Sequence, residues 1–167
     1  MFGQSQAFIV HYVKPTKKFW VLQFTIMPSL SSTSQFPQLV EDLRVLLPEI
    51  MVAQCDNPNN IPFCEEMKET QTAHLFELVI LEYLCKLRLR SGFGEASYEG
   101  RTFWDTTKAP GENSMIAISR QGESQSVFEE AVTLSIILLK QLIKSTESNH
   151  TREHTEREVK PLTVFID

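Results

Sequence analysis

The sequence predicts an α+β fold, a two-layer sandwich with an antiparallel sheet and helices packed on one of its faces. Three observations carry that expectation. Residues 6–13 (QAFIVHYV) and 18–27 (KFWVLQFTIM) are rich in β-branched and aromatic side chains, and the intervening PTKK supplies a turn, so they read as a hairpin. Residues 67–90 place Leu, Val, Ile and Phe in almost every direction around a helix, which requires that helix to be enclosed. Residues 98–105 and 114–120 are shorter strand-like runs around a Pro110-Gly111 turn, and a further helix follows them.

The elements follow in order. Residues 29–34 (SLSSTS) form a polar connector after the hairpin. Pro37 suits the first turn of a helix capped by Ser34 or Gln35, with Leu39, Leu43, Leu46 and Leu47 as its apolar stripe and Pro48 near its end. Residues 55–63 (CDNPNNIPF) are turn chemistry. The central helix over 67–90 stops at Ser91-Gly92. The last helix opens on the capping-box pattern Ser126-Val-Phe-Glu129 and continues through Val132, Ile136, Leu139 and Ile143. Residues 145–160 are polar, with no apolar stripe, and read as a solvated linker or a helix extension. Residues 161–167 (PLTVFID) have the composition of a final strand. The domain therefore spans residues 1–144, and 145–167 is a polar linker with a candidate C-terminal strand.

Composition narrows the function classes. A chain of 167 residues, 42% hydrophobic and with 11 Phe, builds one good core. A net charge of −5 argues against a partner with a nucleic-acid backbone, which calls for a basic face. Residues 1–10 lack a basic start followed by an apolar core, and the apolar run at 132–139 is far short of the roughly 20 residues of a membrane span. A soluble, cytoplasmic protein without a membrane partner is expected. Cys55, Cys64 and Cys85 are odd in number and form no C-x-x-C pair, so free thiols in a reducing compartment are the favoured reading. The alternative use of these thiols is a Cys55/Cys64/His74 zinc cluster.

The central helix carries His74, Glu77 and Glu82 among apolar neighbours, and each needs a partner if buried. The spacing His74-x-x-Glu77 followed by a histidine would be the inverted zinc-hydrolase motif, but the next residue is Leu78. Residues 74, 77, 78 and 82 fall within a sector of roughly 140°. They can converge on one ion or cationic group, or His74 and Glu77 can satisfy each other with Glu82 partly exposed. His150, Glu153 and His154 spell His-x-x-Glu-His literally, yet they lie in the charged tail without an apolar anchoring face, so that match reads as chance. Arg88, Arg101, Trp104 and Asp105 form either a rim for a zwitterionic ligand or an ordinary solvated helix end.

HLFELVILEYL followed by Gly92-Phe93-Gly94 resembles the N-terminal domain of cyanophycin synthetase. The likeness extends to NSMIAISR after Pro110-Gly111, to FEEAVTLSIILLKQLI, and back to FPQLVEDLRVLLPEI and CDNP, over residues 36–143. The buried His-x-x-Glu helix followed by two strands and a helix is also similar to the pitrilysin-type peptidases. The resemblance implies a domain that holds an arginine-bearing polyaspartate polymer and, in some relatives, hydrolyses it with a metal. By position His74 would be the first ligand, Glu77 the water-activating base and Glu82 a further ligand. Leu78, lacking charge and lone pair, implies that no zinc is held tightly at His74/Glu77 and that no catalytic cofactor is needed.

The expectation is therefore a non-catalytic binding or accessory module for an arginine-rich or cyanophycin-like polymer. Its binding residues would be Glu77, Glu82, Arg88, Arg101, Trp104 and Asp105. The alternatives are a metal-dependent hydrolase using His74, Glu77 and Glu82, and a protein–protein interaction module. A homo-oligomer is compatible with each.

Overall fold

The computed structural model describes residues 8–158 other than 37, 56 and 58, with the side chains of residues 12 and 147–158 excepted. The N-terminal hairpin joins β1 (Phe8–Pro15) to β2 (Phe19–Ile26). Next come α1 (Leu39–Leu46), the single-turn α2 (Phe63–Glu66) and the long central α3 (Thr72–Arg90). Then follow β3 (Gly100–Trp104), β4 (Ser114–Ser119) and α4 (Gln125–Glu158). Among the described residues the four strands form one sheet in the order β1-β2-β4-β3, with every pairing antiparallel. The fold is α+β, as the sequence predicts. The strand expected at 161–167 lies outside the described residues.

Strict alternation explains how the sheet faces the core. In β2, Trp20, Leu22, Phe24 and Ile26 are buried while the residues between them are not. The register Trp20↔Ile118 and Leu22↔Ile116 puts the buried positions of β4 beside them. Phe76 of α3 meets Phe24 edge-on at 5.1 Å and Phe8 at 5.5 Å, and Trp20 stacks on Phe128 of α4 at 5.5 Å. Helices α3 and α4 pack on each other and cover this face. The opposite face leaves Ile9, Phe19, Phe103 and Met115 exposed. In β1 the register shifts between Val10 and Tyr12, a bulge that turns His11 Nε2 to within 2.7 Å of Thr25 Oγ1.

Three boundaries differ from the sequence reading. The central helix begins at Thr72 rather than at 67. Thr33 N–H donates to the Thr70 carbonyl (2.9 Å), Thr70 N–H donates to Thr33 Oγ1 (2.8 Å), and Ser32 bridges Gln71, so tertiary pairing keeps residues 70 and 71 out of the helix. Ser34 and Gln35 belong to a separate 3-10 turn capped by Ser32, and α1 starts at Leu39 with Gln38 at its cap. Val127 N–H donates to Ser124 Oγ (3.4 Å), so Ser124 rather than Ser126 fills the cap position of α4.

The polar stretch after residue 145 continues α4 as helix to Glu158. No Gly or Pro interrupts residues 123–160, and Glu, Arg and Lys are good helix formers, so nothing local stops the helix. The backbone of the His150/Glu153/His154 triplet is part of that extension.

Candidate functional site

His74 stands in the first turn of α3, just past the point where the Thr33–Thr70 pairing releases the chain into helix. Its Nε2 lies 2.9 Å from Cys55 Sγ, which in turn donates to Glu66 Oε2 at 3.1 Å. Glu66 Oε1 is 4.0 Å from the same Nε2. On the other side of the ring, Nδ1 is 3.6 Å from Glu77 Oε2. Phe63 closes the site edge-on to the imidazole, with centroids 5.9 Å apart.

Each group has a local reason to be there. Cys55 follows the 3-10 turn Pro48–Val52 in a loop tied by Asn57, whose amide donates to the Ile61 carbonyl (2.7 Å) and accepts from Ile61 N–H (3.1 Å). Glu66 ends α2, between Phe63 and Met67, both anchored in the core. Cys64, also in α2, is not part of the cluster; Glu66 takes the third place that the sequence reading gave to it.

Glu77 is 4% exposed, and Thr102 Oγ1 of β3 donates a short hydrogen bond to its Oε2. Gly100, two residues earlier on the same strand face, lies so close that a β-carbon there would sit 2.5 Å from Glu77 Oε1. A buried carboxylate is tolerable only with such partners. From this enclosed position Glu77 Oε2 faces His74 Nδ1 at 3.6 Å.

The electrostatics follow from this enclosure. Burial pushes the Cys55 thiol up to about 12, with the hydrogen bond to Glu66 adding to the rise, so the thiol is protonated and a poor nucleophile. Burial pulls the His74 imidazole down, but Glu77 and then Glu66 outweigh it, and the ring titrates above its ordinary value.

The remaining predicted residues are dispersed. Leu78 is 5% exposed and belongs to the apolar core. Glu82 is set among Lys86 and Glu49 rather than beside His74; burial raises its carboxyl, and Lys86 only partly opposes this. Arg88 is occupied by Glu123 (2.5 Å) and the Gly94 carbonyl (2.9 Å), and Tyr98 Oη donates to the same Glu123 oxygen at 2.7 Å. Arg101 pairs in register with Ala117 on the sheet face away from the helices.

Trp104 and Asp105 do come together. With Gln71, Lys108 and Glu112 they line a pocket of about 240 Å³ where the 105–112 turn meets the start of α3. Asp105 accepts from the Thr107 hydroxyl (2.6 Å) and N–H (2.9 Å), which hold its carboxyl below the ordinary value.

Sequence reasoning missed Glu66, Gly100, Thr102, Lys108 and Glu112. The available signal was faint: Gly100 and Thr102 share the period-two face of a strand that packs on the helix bearing Glu77. Among the described residues no helix is long and apolar enough to cross a membrane. No protein-family model matches the sequence, and no curated protein matches it.

Proposed function

We propose that the chain is a non-catalytic binding module, related to the cyanophycin synthetase N-terminal domain, that takes up arginine-rich or cyanophycin-like chains. The observation that carries this reading is the pocket at Trp104 and Asp105. Trp104 is 52% exposed and offers a ring face to a guanidinium, while the Asp105 and Glu112 carboxylates supply charge-assisted acceptors. Lys108 in the same lining suits the carboxylate of a zwitterionic repeat. Each contact is weak, and a repeating polymer gains affinity by offering many equivalent groups. Glu77 has no share in this surface, because it is enclosed.

Tryptophan fluorescence tests the reading directly, since Trp20 is 2% exposed in the core and Trp104 is the accessible indole. Titration with a soluble arginine-rich polymer is expected to change Trp104 emission, with affinity falling as salt rises. Binding followed by calorimetry is expected to be lost in Trp104→Ala and weakened in Asp105→Asn. A folded double variant that binds like the wild type overturns the reading. The protein–protein alternative then leads, supported by the exposed Ile9, Phe19, Phe103 and Met115 on the uncovered face of the sheet.

A further inference from the structure

We propose that Cys55, Glu66 and His74 form a binding site for a zinc-class divalent cation, with Glu77 orienting the imidazole from behind. The three ligand atoms come from three separate elements: the loop before α2, the end of α2 and the first turn of α3. Thiolate, imidazole and carboxylate are the donor types that zinc accepts, and three of them fill three of its four tetrahedral positions.

The donor atoms stand close enough for side-chain rotation to bring them onto one ion. Zinc–sulfur bonds near 2.3 Å and zinc–nitrogen or zinc–oxygen bonds near 2.0–2.1 Å set donors roughly 3.3–3.5 Å apart in a tetrahedron. Here Sγ–Nε2 is 2.9 Å, and Glu66 presents a different oxygen to each partner, Oε2 at 3.1 Å from Sγ and Oε1 at 4.0 Å from Nε2. One donor atom from each residue lies within 4.8 Å of the others, and a turn of the Glu66 carboxylate that brings one oxygen toward both Sγ and Nε2, with thiol and ring moving apart, would admit the ion.

Two further features favour a cation here over a purely internal hydrogen-bond network. Among the described residues the ion pairs of Glu66 and Glu77 are both with His74, so two largely enclosed carboxylates share one imidazole and no Lys or Arg. A dication neutralises that excess directly. His74 also presents Nε2 to the cluster and Nδ1 to Glu77, and Glu77 is itself fixed by Thr102. A metal-bound histidine ordinarily has such a carboxylate behind it, which sets the tautomer and strengthens the ligand. Binding converts the Cys55 thiol to thiolate, and the displaced proton passes to solvent. The set does not involve position 78, so the loss of a histidine there leaves it intact. It is also independent of the Trp104 pocket.

Cobalt(II) is the probe, because a thiolate ligand gives it a near-ultraviolet charge-transfer band and a tetrahedral site gives intense visible bands. The full chain, freed of metal with a chelator and kept reduced, is titrated with cobalt chloride and then back-titrated with zinc chloride. The expected result is one cobalt per chain with a single-thiolate band that zinc abolishes. Cys55→Ser is expected to lose the band, Cys64→Ala to keep it, and Glu77→Gln to weaken affinity about 10–100-fold. Circular-dichroism melts of the metal-free variants establish that each is folded. Absence of the band in folded wild type overturns the proposal, as does a band that survives Cys55→Ser and disappears in Cys64→Ala.

Discussion

Glu77 and Gly100 are fitted to each other across the contact between α3 and β3: the carboxylate occupies the space that any side chain at residue 100 would need. With Thr102 on the same strand, this makes two of the inward positions of β3 a socket for one buried acid.

Gly100→Ala is therefore expected to destabilise the fold by about 1–3 kcal/mol, the usual range for overpacking a filled interior. Urea unfolding gives the magnitude. The imidazole signals of His74 in proton NMR should shift as well, because Glu77 can yield only by moving relative to Nδ1. An alanine variant as stable as the wild type would show that the socket is looser than described.

Glu82 gives a pH-dependent outcome. Burial raises its carboxyl above the ordinary 4.5, so the ionised form is less well accommodated folded than unfolded. The penalty is absent below the ordinary value and grows as pH rises through the folded value. Glu82→Gln is accordingly expected to raise Tm near pH 7 and to leave it nearly unchanged near pH 4. A lower Tm for the variant at neutral pH would mean that the attraction of Lys86 dominates the site instead.

Tyr98 is nearly buried, and its hydroxyl donates to the Glu123 oxygen that also meets Arg88. Tyr98→Phe removes one hydrogen bond to a charged acceptor while leaving the ring in place, so a loss of about 1.5–3 kcal/mol is expected. Denaturant midpoints measure it. The carboxylate keeps Arg88, so the denaturant slope should be unchanged.

The legible parts of the fold are those written by local periodicity. Trp20, Leu22, Phe24 and Ile26 alternate, and α3 is apolar all round, so strand and enclosed helix could both be read from spacing. The start of α3 could not, because Thr33 and Ser32, some forty residues earlier, hold Thr70 and Gln71 out of the helix. The same limit applies to the site. His74 and Glu77 are one helical turn apart and were visible, and Cys55 was visible as a thiol. Its partner Glu66 was one acid among many until the fold of α2 brought it to the ring. Arg88 shows the converse: it reads as a free cation at a helix end and is in fact consumed by Glu123, 35 positions away.

The strand order has a consequence for how the chain reaches this state. β2 has β1 as an immediate neighbour in sequence, but its other edge is completed only by β4, and Gln23 reaches Asn113 across a separation of 90 residues. The hairpin can close within microseconds, whereas the second edge must wait for a long loop to close. Until then the chain carries an unsatisfied ladder beside Trp20, Leu22 and Phe24, the kind of edge that pairs with a neighbouring molecule. During synthesis that edge stays open until the ribosome has released residue 119, so the arrival of β4 closes the period of exposure to aggregation.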